Sequence, residues 1–262
     1  MQDANYPVRN GVERRRQLLQ LLIQRNQLTA REVSEALGVS EVTVRQDFAA
    51  LEREGSLQRI WGGAILPEPG RKEGTFASRL EIQKAEKQAI AAAALEMISD
   101  GDTLLLDAST TAFALAQRIK EQRHGLYIIT NGLYTALELA ANPSLTVVVL
   151  GGIARPGTGS LVGTLGEEML TRLHAAKGFF SAHGVTVPQG LSESNIQEGQ
   201  LKSIMVNHAS QVIALADSSK LGRSSFTTFC PFKQIDRLIT SGKDAKELIQ
   251  PFVERDLEVV LV

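Results

Sequence analysis

The stretch Leu37-Gly38-Val39-Ser40-Glu41-Val42-Thr43-Val44-Arg45-Gln46-Asp47-Phe48-Ala49-Ala50-Leu51 decides how the amino-terminal part of the chain is read. Gly38 permits the left-handed conformation that stops a helix sharply, and Ser40 supplies an N-cap for the next one. Val44, Phe48 and Leu51 fall at i, i+4 and i+7, the buried stripe of a helix from Ser40 to Glu54. Thr43, Arg45, Gln46, Ala49 and Arg53 are left on its other faces. A helix stopped by glycine and restarted by serine after one residue is the turn of a helix-turn-helix.

The flanks agree. Val12 to Arg25 reads as a leading helix, with Leu18, Leu19, Leu21 and Leu22 on its apolar side. Thr29 and Glu32 are spaced as a capping box, opening a short helix with Val33, Ala36 and Leu37 facing inward. Beyond Gly55, two extended runs around Trp61-Gly62-Gly63 form a hairpin, which makes a wing. The start of a recognition helix enters the major groove, where Arg pairs with guanine, Gln with adenine, and Thr meets a thymine methyl or a phosphate. Ser40, Thr43, Arg45, Gln46 and Arg53, with Arg59, Trp61 and Gly62 on the hairpin, are therefore the candidate DNA contacts. For Trp61 the competing reading is a packing role, the commoner fate of a lone tryptophan.

Bulk charge does not point to DNA. The 262-residue chain carries a net −1, and residues 12–66 hold eight arginines, no lysine and seven acids. Binding by so neutral a segment requires arginines gathered on one face and carboxylates on another. Cys230 is the only cysteine, which excludes a disulfide framework and a cysteine-rich zinc site. His124, His174 and His208 are scattered without metal-ligand spacing, so neither metal nor cofactor is expected. No apolar run approaches the roughly 18–20 residues that cross a bilayer, and the charged amino terminus lacks an apolar signal core. A cytoplasmic protein with no membrane partner is expected.

Pro67 to Gly74 has two prolines, two glycines and no apolar period, a linker composition. The chain divides on this reading into residues 1–66, a winged helix-turn-helix; 67–75, a linker; and 76–262, an α/β domain. A single helix is expected from Ser78 to Ile98, with Ile82, Ala85, Ala89, Ala93 and Met97 on one face.

From Asp102 onward, apolar strands alternate with helices. Strands are read at Leu104–Leu106, Leu126–Ile129, Leu145–Leu150, Lys177–Val185, Val212–Ala216, Arg237–Thr240 and Glu258–Leu261. Near-continuous apolar strands argue a mostly parallel sheet covered on both faces, and Leu145–Leu150 looks too apolar to be half exposed. Ligands of such folds sit at the carboxyl ends of strands. There the chain places Asp107, Ser109, Thr110 and Thr111 at a helix start, then Thr130 and Asn131, then Gly151, Gly152, Arg155 and Ser160. Lys202 lies on a helix, and Asp217 and Lys220 follow a later strand. Singly these are ordinary caps, turns and solvated helix residues. Together, two lysines, an arginine and several hydroxyls suit a small polyol carrying a phosphate.

The sequence resembles the DeoR family of bacterial regulators. In the amino-terminal part the matches are Leu37-Gly38-Val39-Ser40, Thr43-Val44-Arg45-Gln46-Asp47-Phe48, Leu51-Glu52-Arg53-Glu54-Gly55 and Arg59-Ile60-Trp61-Gly62-Gly63-Ala64. In the rest they are Asp107 to Thr111, Thr130-Asn131, Gly151-Gly152 with Arg155, Glu198 with Lys202, and Leu215-Ala216-Asp217 with Ser219-Lys220. The resemblance implies a regulator of carbohydrate metabolism with a sensing domain similar in fold to ribose-5-phosphate isomerases. It also implies a repressor that releases double-stranded operator DNA when a phosphorylated sugar binds. Three positions depart from the family pattern. Gln46 stands where a second arginine is usual, Trp61 where histidine is common, and His183 where relatives carry aspartate.

Two other classes compete. An isomerase-like enzyme needs a carboxylate base beside the substrate carbon. The segment Phe180-Ser181-Ala182-His183-Gly184-Val185 offers only His183, better read as a ligand contact or a structural residue. A DNA-binding regulator with no small-molecule ligand is the other. One winged helix spans too short a site for high specificity, so a homo-oligomer, dimer or tetramer, is expected.

Overall fold

The computed structural model describes residues 11–25, 27–53, 56–65, 74–242 and 245–262. It separates into two units, Met1–Ile82 and Gln83–Val262. Most of the expected linker, residues 67–73, lies outside the described residues, as does Glu54.

The first unit runs α1 (Gly11–Arg25), β1 (Gln27–Thr29), α2 (Ala30–Leu37), α3 (Glu41–Arg53), β2 (Gln58–Ile60), β3 (Gly63–Ile65) and α4 (Phe76–Glu81). The capping box forms: Thr29 Oγ1 accepts the Glu32 N–H at 3.2 Å, and the Glu32 carboxylate accepts the Thr29 N–H at 2.7 Å. Gly38 ends α2 in the left-handed region, at φ 66°. Leu18, Leu22, Leu28, Val33, Val44, Phe48, Leu51 and Leu57 close one core. Each such fully buried side chain contributes about 1.5–3 kcal/mol. Ala36, expected inside, is exposed; Ala30, Val33 and Leu37 make the buried face, because residue 36 lies about 100° of helical turn from residue 37.

The wing is three-stranded, in the order β1-β3-β2, all antiparallel. Sequence reading missed β1, which is only three residues long and abuts α2. Gly63 makes the sheet possible, since a Cβ there would stand 2.2 Å from the Leu28 carbonyl oxygen.

The helix expected from Ser78 to Ile98 is two helices. Thr75 caps α4, and the chain turns at Ile82 (extended) and Gln83 (φ 49°) before α5 (Lys84–Leu95). The Glu81 carboxylate is held by Arg16 and Gln20 of α1, which anchors α4 to the first unit. The buried stripe of α5 is Ile90, Ala91, Ala94 and Leu95, not the alanines at 85, 89 and 93. The bulkier side chains set the face.

The second unit continues with β4 (Thr103–Leu106), α6 (Thr110–Gln122), β5 (Tyr127–Thr130), α7 (Leu133–Ala140), β6 (Thr146–Val149), β7 (Ile153–Ala154) and β8 (Leu161–Val162). Then follow α8 (Thr164–Leu170), β9 (Ala175–Phe180), β10 (Gly184–Thr186), β11 (Gly190–Glu193), α9 (Ile196–Asn207) and β12 (Ala209–Asp217). It ends with β13 (Thr227–Cys230), β14 (Arg237–Ser241), α10 (Ala245–Leu248), α11 (Gln250–Val253) and β15 (Glu258–Leu261). Seven strands form one sheet in the order β15-β14-β12-β9-β4-β5-β6, every pairing parallel. Alternate residues feed two cores: Leu104, Leu106 and Phe179 pack with α5 and α6, while Leu105 and Phe180 pack with α9.

Two differences from the sequence reading have physical causes. β6 is an edge strand with Thr146 and Val149 exposed, despite its apolar run. The run from Lys177 to Val185 breaks after Phe180, and Gly184–Thr186 joins a separate antiparallel sheet, β10-β11-β13. Chain order reverses about β4: β5 and β6 lie on one side of it, β9 and the later strands on the other. That is the switch point where the crevice of an open α/β sheet lies.

Candidate DNA-contact face and effector site

Ser40 opens α3 as its cap, with Oγ accepting the Thr43 N–H at 3.2 Å and lying 2.9 Å from the Thr43 hydroxyl. Arg45, Gln46 and Arg53 are exposed along the helix and Thr43 is half-buried. Arg59 and Gly62 are exposed on the wing, and Trp61 at its tip is 103% exposed. The packing reading of Trp61 is thereby corrected: its ring rests on nothing among the described residues of the unit.

The charges are not gathered on separate faces, as the near-neutral composition had suggested they must be. They interleave. Arg45 pairs with Glu41 at 3.1 Å, Arg31 with Glu35 at 3.0 Å, and Arg59 lies 4.0 Å from Glu52. These pairs are exposed and screened by solvent, so they open readily to phosphates. Two residues were missed. Val42, 67% exposed in the first turn of α3, offers a methyl-sized apolar contact of the kind that reads thymine. Asp47 is buried, as are Val44 and Phe48 on the same helix, and takes Arg14 Nε at 2.5 Å and Nη2 at 3.1 Å, with Arg15 at 3.6 Å. Its position three residues after Val44 was the available signal: an acid on a buried stripe requires a cation.

In the second unit, the switch point carries a buried ion cluster. Asp107, directly after β4, accepts the Ser109 N–H on Oδ1 at 3.1 Å and the Ser181 N–H on Oδ2 at 2.9 Å. Lys202 of α9 is 1% exposed, and its Nζ reaches Asp107 Oδ2 (2.9 Å), Glu193 Oε1 (2.5 Å) and the Ser181 carbonyl oxygen (2.9 Å). The ammonium also stands 5.0 Å over the Phe229 ring. Glu193 of β11 turns its second oxygen to His183 Nδ1 at 2.5 Å, and His183 Nε2 lies 3.4 Å from the Ser194 hydroxyl. Glu198 accepts from Arg155 and from the Ser160 hydroxyl (3.1 Å), which in turn lies 3.1 Å from the Thr158 hydroxyl.

Electrostatics locks this cluster. Burial alone raises the Glu193 carboxyl, but the Lys202 charge and the His183 bond outweigh it and hold the group well below the usual carboxylate range. Burial lowers Lys202, and Asp107, Glu193 and Glu198 outweigh that, holding the ammonium well above the usual lysine range. Two cations thus face three carboxylates, and solvent reaches the cluster at His183, whose side chain is 25% exposed, and at Arg155, 16%. Glu193 was missed because Leu191-Ser192-Glu193-Ser194 lacks the alternation of a strand, although every residue of β11 is buried.

The other candidate residues follow the carboxyl ends of β4, β5, β6 and β12. Ser109 caps α6, accepting the Ala112 N–H at 3.0 Å, and Thr110 and Thr111 form its buried first turn. Thr130 Oγ1 accepts the Gly132 N–H at 3.0 Å. Asn131 donates to the Leu161 carbonyl at 3.2 Å, while its Oδ1 is buried without a hydrogen-bond partner among the described residues. Gly151 donates to Met169 Sδ at 3.2 Å. Gly152 admits β8, since a Cβ there would stand 2.4 Å from the Val162 carbonyl oxygen. Asp217 stands apart from the ion cluster, capping the turn to Lys220 by accepting the Ser219 N–H at 3.1 Å. That turn is tied to α5, where Glu86 accepts the Ser218 N–H at 2.7 Å. Among the described residues no helix is long and apolar enough to cross a membrane.

Residues 14–69 match the DeoR-like helix-turn-helix domain, and residues 82–242 match the DeoR C terminal sensor domain. The HTH-type transcriptional regulator GolR of Listeria innocua is 38% identical over 250 residues, 94% of this chain and 97% of that protein. The lactose phosphotransferase system repressor of Staphylococcus epidermidis is 35% identical over 251 residues, 94% of this chain and 98% of that one. Among solved structures, ribose 5-phosphate isomerase A of Methanocaldococcus jannaschii is similar at 16% identity and a TM-score of 0.39, over 53% of this chain and 54% of that one. A helix-turn-helix unit and an α/β unit, matched in that order and along nearly the whole length of such relatives, place this chain in the DeoR family.

Proposed function

We propose that this protein is a repressor of a carbohydrate-metabolism operon, whose second unit binds a phosphorylated sugar and thereby releases the first from operator DNA. The observation that carries the DNA half is α3 itself, capped by Ser40 and presenting Thr43, Arg45 and Gln46 beside an arginine-bearing wing. The names of its relatives, regulators and a sugar-transport repressor, support the same reading. The protein acts as a homo-oligomer in the cytoplasm on paired half-sites.

The effector reading rests on the switch point. The first amides of α6, at Thr110 and Thr111, precede its first intrahelical bond and suit a phosphate. Asn131 Oδ1, buried without a partner among the described residues, is an acceptor suited to a sugar hydroxyl. Lys202 is a framework residue here, because its three N–H donors already have acceptors. Catalysis does not suit this site: Asp107, Glu193 and Glu198 are all engaged by cations, and a base needs a carboxylate free to take a proton.

A gel-shift titration with the DNA upstream of its own gene, with and without a panel of sugar phosphates, tests the proposal. Retardation relieved by a phosphorylated sugar is expected. Retardation unaffected by every sugar phosphate, together with no thermal stabilisation by any, would leave a regulator without a ligand. Turnover of a sugar phosphate would make it an enzyme.

A further inference from the structure

We propose that Trp61 is an apolar wedge for DNA, its indole entering the minor groove from the wing tip and stacking at a flexible base step. This rests on the DNA-binding reading above and assigns the wing a distinct chemistry. Trp61 and Gly62 are the two linking residues of the β2–β3 turn, whose flanking pair is Ile60 with Gly63. Gly62 takes φ +76°, and a Cβ there would meet no atom within 4 Å, so the tip is bare. A tryptophan ordinarily buries about 150–250 Å² of largely apolar surface, and here the whole ring is exposed.

The ring is presented by a stiff support. The Gly62 carbonyl oxygen accepts the Ala30 N–H at 3.0 Å, pinning the tip to the start of α2. Gly63 lies flush against β1, where no side chain fits. Its surroundings fit a nucleic acid better than a protein. Among the described residues of this unit, the other large apolar side chain that is exposed is Val42, on α3. One ring beside Arg59 is not an apolar patch of the size that protein partners cover. A base step offers π faces to the indole, and the flanking phosphates offer a counter-charge to Arg59. Pyrimidine–purine steps unstack most easily, so a TA-rich duplex is the preferred partner.

Trp61 is the sole tryptophan of the chain, so its emission reports the contact directly. The full-length protein is titrated at low salt with a duplex of about 30 base pairs rich in TA steps, and with a G·C duplex of equal length. The TA-rich duplex is expected to quench emission more strongly. Trp61→Ala should weaken its binding about tenfold, the scale of one lost stacking contact, with an unchanged salt slope. Arg59→Ala should instead lower the salt slope by about one. Retardation of both duplexes with no emission change, and Trp61→Ala binding like the parent, overturns the wedge and leaves DNA binding intact. Failure of the parent to retard either duplex overturns the DNA-binding reading itself. An emission change that follows protein concentration without DNA assigns the ring to a contact between copies, and also overturns the wedge.

Discussion

Lys202 Nζ lies 2.9 Å from Asp107 Oδ2, with neither side chain reaching solvent, so α9 is fastened to the carboxyl end of β4 by a buried ion pair. The pair does not act alone, for Glu193 completes the neutralisation from β11. Removing the cation leaves two buried carboxylates without it. Lys202→Met should therefore destabilise the second unit by about 3–5 kcal/mol, read from chemical denaturation. An unchanged midpoint with weakened effector binding would instead make Lys202 a ligand contact.

The same cluster fixes the pH dependence of stability. The Glu193 carboxyl is depressed in the folded state, so its contribution is full above its ordinary value of 4.5 and is lost as pH falls further. Lys202 is raised, so its contribution is full below its ordinary value of 10.5 and is lost as pH rises through its folded value. Thermal midpoints should be insensitive to these two groups between those limits and fall on either side. Glu193→Gln should flatten the acid limb; an identical acid limb in the variant would show that other carboxylates set it.

Cys230 is fully buried, and burial, aided by the charge of Asp236, pushes its thiol up to about 12. Thiolate, not thiol, attacks disulfide reagents. The native protein at pH 8 should leave an aromatic disulfide reagent uncleaved, and one equivalent should react once urea unfolds the second unit. Prompt reaction of the folded protein would show that the strand carrying Cys230 opens.

Much of this was legible because it is local. The capping box at Thr29 and Glu32, the stop at Gly38 and the stripe Val44, Phe48, Leu51 depend on spacings of a few residues, which sequence displays directly. The parallel strands were legible for a similar reason, as apolar runs. What escaped depends on distant partners. β6 carries the same apolar run as a central strand, and only the strand order puts it at an edge. Lys202 reads from sequence as a phosphate contact, and its partners Asp107 and Glu193 lie 95 and 9 residues away along the chain, where spacing does not reveal them. The helix break at Ile82-Gln83 comes directly after Glu81, whose bonds to α1 no periodicity encodes.

Asp47 joins α3 to α1 in the manner that Asp107 joins β4 to α9. Its carboxylate is buried and takes two bonds from Arg14. Asp47→Ala removes that buried carboxylate and should cost the first unit about 3 kcal/mol. DNA binding should fail while stabilisation by a sugar phosphate persists. Loss of both together would show that the two units unfold as one.

Arg45 tests the contact face without disturbing the fold. Among the described residues its partner is Glu41, at 3.1 Å on an exposed helix surface, a pair contributing about 0.3–0.5 kcal/mol. Arg45→Ala should thus leave the unfolding transition nearly unmoved and weaken operator binding by about 1–3 kcal/mol. The companion change, Glu41→Gln, releases the guanidinium and removes a carboxylate from the approach to phosphate, so it should tighten binding. Gel-shift titrations at two salt concentrations separate the two effects. A base-reading Arg45 relaxes sequence preference when removed, whereas a phosphate-binding one lowers the salt slope by about one at every sequence. Equal affinity in parent and Arg45→Ala would take Arg45 off the contact face and shift the burden to Thr43, Gln46 and the exposed Val42.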